Sequence, residues 1–189
     1  EKYLQKADQV YHLAALADIV PSIENPKVYY NSNVTGTLNV VEAVKKYCPD
    51  ASVLYTASSS CYGKEPSYPT NESQNISPEY PYALSKFLGE EIILHWGKVY
   101  GLKVNSCRLF NVYGNYSRNS GAYGAMFGVF LAQMLNDIPI TIVGDGTQSR
   151  DFTHVSDVIN ALVQVCGSNY HNQVYNVGSG KPISVNKVV

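Results

Sequence analysis

Short apolar runs alternate with longer stretches of helical periodicity along this chain, and that alternation limits the fold more than any other feature. Gln9-Val10-Tyr11-His12-Leu13-Ala14 reads as a buried strand, followed by small residues and a turn. Over residues 26–47 apolar positions recur at helical spacing (Val34, Leu38, Val41, Val44), and the pattern ends before Pro49. Residues 52–56 read as a second strand, 58–78 as a loop rich in Ser, Pro, Gly and Asn, 81–100 as a helix stopped by Gly101, and 103–110 as a third strand. This order predicts a parallel α/β sheet, doubly wound, with helices on both faces. In such sheets ligands bind beyond the carboxyl ends of the strands. Ala14-Ala15, Ser58-Ser59-Ser60 and Phe110-Asn111 all fall at those ends.

Beyond Asn111 the character changes. Residues 113–123 are polar and Gly-rich, a helix is expected over about 125–136, and a short strand over 140–143 leads to the turn Gly144-Asp145-Gly146. Another helix over roughly 154–166 and a strand over 174–177 follow, and Ser184 is placed as the cap of a last helix. His154 and Asp157 read as that earlier helix's start, and His12 as a residue of strand packing.

Composition excludes several functions. Fourteen basic against fifteen acidic side chains argue against a nucleic-acid binder, whose phosphate contacts need a basic excess. No apolar run approaches the roughly 20 residues of a membrane span, the richest lying at 126–135. Cys48, Cys61, Cys107 and Cys166 are far apart, without CxxC pairs or zinc spacing, which fits reduced thiols of a cytoplasmic protein and no metal site. The sixteen tyrosines offer flat apolar faces with polar tips, a combination that suits sugars. The chain opens at Glu1 without Met, in what reads as the end of an amphipathic helix, so it is expected to be cut from a longer one.

The strongest constellation is Ser58-Ser59-Ser60 followed by Tyr82-Ala-Leu-Ser-Lys86. Tyr82 and Lys86, four apart at a helix start, project from one face. A nearby ammonium would lower the Tyr82 pKa and make the phenolate a general base, with a strand-end serine on the same substrate oxygen.

With these in view, the chain resembles the extended short-chain dehydrogenase/reductase family of nucleotide-sugar epimerases and dehydratases, closest in pattern to UDP-hexose 4-epimerases. The resemblance runs nearly end to end: His12-Leu-Ala-Ala15, Asn33-Val-Thr-Gly-Thr37, Ser58-Ser-Ser-Cys-Tyr-Gly63, Tyr82-Ala-Leu-Ser-Lys86, Arg108-Leu-Phe-Asn-Val-Tyr-Gly114, Gly144-Asp-Gly-Thr-Gln-Ser-Arg-Asp-Phe152 and Tyr175-Asn-Val-Gly178. It implies a Rossmann-like sheet with a smaller substrate-binding α/β portion. The division would be residues 1–111, the carboxyl half of the NAD-binding domain, and 112–189, mainly the nucleotide-sugar portion. It also implies roles. Leu13, Ala14 and Ala15 would line the NAD groove and Asn33 would hydrogen-bond near the cofactor. Tyr82 would be the base, Lys86 would hold the nicotinamide ribose, Ser58 would share the reacting hydroxyl, and Phe110 would pack near the nicotinamide. Ser59 and Ser60 would face the substrate, and Asn111 and Arg150 would hold the nucleotide diphosphate. The residues also have plainer readings: Phe110 as core, Asn33 bonded to its own helix backbone, and Arg150 with Asp151 as a surface ion pair.

Two departures from the family pattern matter. The family's Gly-rich phosphate loop is absent, and the run from Gly121 to Gly128 has the wrong final spacing and no preceding strand, so it reads as a hinge or part of the sugar pocket. The true loop is expected upstream of Glu1. The positions after Ser58, where the family's 4,6-dehydratases carry Asp and Glu, are Ser59 and Ser60. Dehydration and decarboxylation are disfavoured, leaving NAD-dependent 4-epimerisation of a UDP-hexose as the expected activity. Epimerisation at another carbon, reduction of a 4-keto sugar, or binding without turnover are the alternatives. The resemblance further implies a cytoplasmic homodimer paired through the helices of 26–47 and 81–100, supplying sugars for polysaccharide synthesis.

Overall fold

The computed structural model describes residues 3–64, 68–117 and 126–189. In chain order the elements are β1 (Gln9–His12), α1 (Ile19–Glu24), α2 (Pro26–Tyr29), a π-helical segment (Tyr30–Thr35), α3 (Gly36–Tyr47) and β2 (Ser52–Ser58). A 3₁₀ turn (Ser59–Tyr62), α4 (Pro81–Tyr100), β3 (Lys103–Leu109), β4 (Asn111–Tyr113), α5 (Met126–Leu135) and β5 (Ser149–His154) follow, then α6 (Val155–Cys166), β6 (Gln173–Val177), β7 (Pro182–Ser184) and α7 (Val185–Val188).

Strands β1, β2, β3 and β6 form one parallel sheet in that order. Side chains alternate across β2. Val53, Tyr55 and Ala57 pack with Val41, Val44, Ile93 and Val104 under α3 and α4, while Leu54 packs with Cys107, Val158, Leu162, Cys166 and Val177 under α6. Helices therefore cover both faces, as a parallel sheet requires, and the expected Rossmann-like doubly wound arrangement is what the chain forms. A second, smaller group of strands pairs β4 with β5 in parallel and β5 with β7 antiparallel.

Helix α4 is the element that positions the site. Pro81 opens it with a preset φ, and Gly101 closes it in the left-handed region at φ 71°. Between them Ala83, Lys86, Glu90, Ile93 and Gly97 are buried at alternating steps of three and four, a single stripe facing the sheet. Gly89 lies beside that stripe, where an added Cβ would come within 2.9 Å of Tyr55 Cζ.

Several expectations are corrected. The expected helix over 26–47 carries the π-helical segment Tyr30–Thr35 in its first half, a rare widening of the turn that is frequent at functional sites. Residues 140–143 form no strand. Thr141 is held by the Gln133 side chain, its N–H donating to Oε1 at 3.3 Å and its Oγ1 accepting from Nε2 at 3.0 Å, so no ladder forms there. Strand β2 runs two residues further than expected and delivers Ser58 as its last residue. Ser184 sits at the start of α7, but its side chain makes no capping bond. Of the run from Gly121 to Gly128, residues 121–125 lie outside the described residues.

Candidate active site

Three strand ends meet at the carboxyl edge of the parallel sheet. At the end of β1 the chain leaves as Leu13-Ala14-Ala15, all exposed, with Leu13 at 55%. Asn33 holds this loop. It is buried at 1% exposure, its Oδ1 accepts from Leu16 N at 2.8 Å, and its Nδ2 donates to Leu16 O at 3.0 Å and Ser85 Oγ at 2.9 Å. The amide thus joins the strand-end loop to α4, and Ser85 passes the link on by donating to Tyr82 O at 2.8 Å. Asn33 is neither bonded to its own helix backbone nor open towards the groove. It shapes the loop, because a buried amide must satisfy its donors and acceptor locally.

At the end of β2, Ser58 Oγ accepts from Ser60 N at 3.3 Å and from Ser60 Oγ at 2.8 Å. Ser60 is thereby turned onto Ser58, and Ser59 begins the 3₁₀ turn. Tyr82 is partly buried in the first turn of α4, and the Ser58 hydroxyl is its side-chain hydrogen-bond partner. Burial raises the Tyr82 pKa above the usual tyrosine value, and the Ser58 bond offsets only part of this. The expectation that Lys86 depresses Tyr82 does not hold in the free protein. The Lys86 Nζ lies instead over the Tyr55 ring, 4.4 Å from its centroid.

Lys86 is 4% exposed. Burial pulls its pKa down to about 8, and the carboxylate of Glu90, one turn on, opposes this. That carboxylate is already engaged: Arg108 Nε donates to it at 3.1 and 3.2 Å, Arg108 Nη2 at 2.6 Å and Ser106 Oγ at 2.8 Å. Among the described residues the Lys86 ammonium therefore rests on an aromatic face and donates to no carboxylate or carbonyl. Buried charge of this kind calls for a partner, and hydroxyls of a bound ligand would supply one.

The Glu90–Arg108 pair was not singled out from sequence. A charged residue near the end of the buried strand 103–109 and a Glu on the stripe of Lys86 are the signals that could have found it. Arg108 Nη1 also donates to Tyr62 Oη at 2.8 Å and Glu72 O at 3.2 Å, and Tyr62 donates to Asn176 Oδ1 at 2.7 Å. The pair thereby ties α4, β3, β6 and the loop after Ser58 together.

Phe110 is partly buried at the end of β3, where its N–H donates to Val177 O at 3.1 Å and its ring meets Gly178. Asn111 and Arg150 lie on the smaller group of strands, both exposed. Asn111 Nδ2 donates to Asp151 O at 3.2 Å. Arg150 does not pair with Asp151. Its Nη1 donates to Ser149 O at 2.8 Å, while the Asp151 carboxylate accepts the N–H groups of Ser179 and Gly180, each at 2.7 Å. Asp151 closes the loop after β6 and leaves the guanidinium pointing to solvent. The described residues contain no cluster of three or more His, Cys, Asp or Glu that could hold a metal.

Residues 1–178 match the model of the NAD dependent epimerase/dehydratase family. Among curated relatives, the UDP-glucuronate 4-epimerase of Thermodesulfobacterium geofontis is 36% identical over 182 residues, covering 95% of this chain and 54% of its own. Among solved structures, the UDP-N-acetylglucosamine 4-epimerase of Methanobrevibacter ruminantium M1, in complex with UDP-N-acetylmuramic acid, superposes with a TM-score of 0.94 at 34% identity, covering 99% of this chain and 60% of that one. The UDP-glucuronic acid 4-epimerase of Bacillus cereus, in complex with UDP-glucuronic acid and NAD, superposes with a TM-score of 0.89 at 32% identity, covering 100% and 59%. The chain spans between about half and three-fifths of the length of these relatives. On the family match over residues 1–178, set beside the strand-end Ser58, Tyr82 and Lys86, this chain belongs to the NAD dependent epimerase/dehydratase family.

Proposed function

We propose that this chain carries the catalytic part of an NAD-dependent nucleotide-sugar epimerase, acting on a UDP-hexose at carbon 4. The observation that supports this reading is the Ser58 hydroxyl bonded to Tyr82 at the carboxyl end of a parallel sheet, with the Lys86 ammonium one turn further along α4, buried on the Tyr55 ring and bonded to no carboxylate or carbonyl among the described residues. When bound, NAD supplies a reversible hydride acceptor for the sugar carbon. Leu13, Ala14 and Ala15 would line its groove, Lys86 would donate to its nicotinamide ribose hydroxyls, and Phe110 would pack beside the ring. Asn33 contributes by fixing the loop that carries Leu13 to Ala15.

Tyr82 takes the proton from the sugar 4-hydroxyl and returns it. In the free protein it holds its own proton, so it becomes a base only in the loaded site. Ser58 stays on the reacting oxygen throughout, with its own orientation fixed by Ser60. Asn111 and the exposed Arg150 guanidinium would hold the nucleotide diphosphate, the planar fork matching two phosphate oxygens. Serines at 59 and 60 cannot exchange protons as a carboxylate pair does, which favours epimerisation over water elimination. Orientation does most of the work, since well-oriented groups can account for about 7–11 kcal/mol of a barrier.

The division at residue 111 fits this reading, with 1–111 carrying the cofactor half and 112–189 mainly the nucleotide sugar. A homodimer is part of the proposal, supported by an apolar groove lined by Val34, Leu88, Ile92 and Trp96 with Glu91 and His95 at its edge. Light scattering of Ile92→Glu against the parent protein tests it, with conversion to monomer expected. Four buried free thiols favour the cytoplasm, and no helix among the described residues is long and apolar enough to cross a membrane.

The function is tested on the natural protein that carries this chain. Acid release of bound NAD is measured first. UDP-glucose, UDP-N-acetylglucosamine and UDP-glucuronate are then supplied separately and followed by proton NMR at the anomeric and H4 signals. Copurified NAD and a galacto epimer from one of them are expected. Bound NAD with no epimer from any would overturn the C4 assignment, and no bound NAD would point to a binder without turnover.

A further inference from the structure

Beneath Lys86 lies a buried polar array that the reaction above does not use. His12 from the end of β1, Thr37 from the first turn of α3 and Tyr55 from β2 are 6%, 1% and 1% exposed. Polar groups at such depth are tolerated only when hydrogen-bonded, and the bonding here has one consistent direction. Thr37 Oγ1 donates to Asn33 O at 2.6 Å. A hydroxyl has a single proton, so His12 Nε2, 2.9 Å from the same oxygen, is the donor to it. This fixes the ring as the Nε2–H tautomer. Burial first, and the Lys86 charge second, push His12 down to about 4, so the ring is neutral near pH 7.

The other side of the array touches Lys86 twice. The His12 ring packs against Tyr55 at 5.3 Å between centroids, tilted by 51°, and the Tyr55 hydroxyl lies beside Thr37. That hydroxyl donates to Lys86 O at 3.2 Å, and the ring face carries the Lys86 ammonium. Both contacts depend on one orientation of the Tyr55 ring. Gly89 leaves the room for it, since any Cβ there would strike the phenol. A carboxylate in place of His12 would draw the ammonium into an ion pair. A neutral donor fixes Thr37 and leaves the cation free for a ligand.

We propose that His12, acting through Thr37 and Tyr55, is a positioning residue for Lys86, locking the aromatic face on which the ammonium rests in the orientation the reaction needs. Its catalytic meaning rests on the epimerase reading above, but the array can be observed without turnover. Cofactor-free protein labelled at the lysine ε-carbons is examined by ¹H–¹³C correlation, with the Lys86 signal assigned by its loss in Lys86→Arg. The ring current of Tyr55 should move the Lys86 ε-methylene protons upfield of their position in the urea-unfolded protein.

In His12→Ala, and in Thr37→Val as a second variant should the first not fold, that shift should collapse. Turnover should fall by between about tenfold and a hundredfold in kcat, as small misplacements do, with KM unchanged. His12→Gln, which keeps a neutral N–H donor, should restore the shift and most of kcat. An unshifted Lys86 signal in the parent protein, or a shift and a kcat that survive both His12→Ala and Thr37→Val, would overturn the proposal. A shift that depends on His12 in a protein that turns over no nucleotide sugar would uphold the array and count against the epimerase reading alone.

Discussion

The two ends of this site are built in opposite ways. Around α4, apart from the Lys86 ammonium, the buried polar groups are bonded to other elements. Asn33, Thr37, Ser85, Glu90 and Arg108 are all 5% exposed or less and bond across separate elements. On the smaller group of strands Asn111 and Arg150 stand in solvent, their backbone fixed by β4–β5 and β5–β7 pairing and each side chain donating to a single backbone carbonyl. The first arrangement suits chemistry, where proton acceptor and cation must already be in place. The second suits capture of a charged ligand, where an exposed guanidinium costs the fold little and closes on phosphate when it arrives. Substitutions should therefore separate the two regions by what they change.

The largest effect is expected at Tyr82. Tyr82→Phe should lower kcat by about 10²–10⁴-fold, the usual contribution of a general base, with the melting temperature and NAD content preserved. Steady-state kinetics that retained more than about a tenth of the activity would remove Tyr82 as the base. Next is Glu90→Ala, which leaves Arg108 buried without its partner. Urea denaturation should report a loss of about 3–5 kcal/mol, and the loop at Glu72 should lose order with it. Arg150→Ala belongs to the other region. It should raise KM for the nucleotide sugar by roughly tenfold, from the loss of a charge-assisted bond, while denaturation stays within about 0.5 kcal/mol of the parent. If Arg150→Ala instead unfolds the protein, the two regions are not built differently.

A pH dependence of stability is also expected. Lys86 is depressed from 10.5 to about 8. Between those values the unfolded chain still holds a proton that the folded protein has released, so this group makes stability rise with pH across that window. His12, depressed from 6.5 to about 4, acts in the same sense, so stability falls as pH drops between those values. Chemical denaturation of the parent and of Lys86→Met between pH 8 and 10 isolates the first contribution, which the variant should lack.

Much of the fold was legible because apolar periodicity reports burial directly. The helix over 81–100 and the strand at Ser52 follow from it, while the cap at Gly101 follows from glycine's freedom to take the left-handed conformation. The strand expected over 140–143 fails because three apolar residues in a run of four announce a strand only if a partner edge is available, and here the Gln133 side chain takes the Thr141 backbone instead. The site was legible in part as residue types: the Ser58 hydroxyl at the end of β2 reaches Tyr82 at the start of α4. The electrostatics were not. A spacing of four predicts proximity of Tyr82 and Lys86, but Tyr55, thirty-one positions before Lys86 in sequence, takes the ammonium. Asn33 was identified by its motif, yet its partners Leu16 and Ser85 are set by the π-helical turn, which no local pattern announced. Long-range hydrogen bonds between polar residues leave no periodic trace.

In the proposed function Lys86 is a charge that the fold buries for the sake of a ligand. The direct measurement is the melting temperature of cofactor-stripped Lys86→Met beside the parent protein, together with turnover of the reloaded proteins. A methionine of similar length removes the desolvated charge and keeps the apolar contact with Tyr55. The account predicts a melting temperature equal to or above the parent's and turnover lower by about a hundredfold or more. A variant that melts well below the parent would show that the ammonium stabilises the fold, and one that turns over normally would show that the reaction does not need it. Either result would contradict the account.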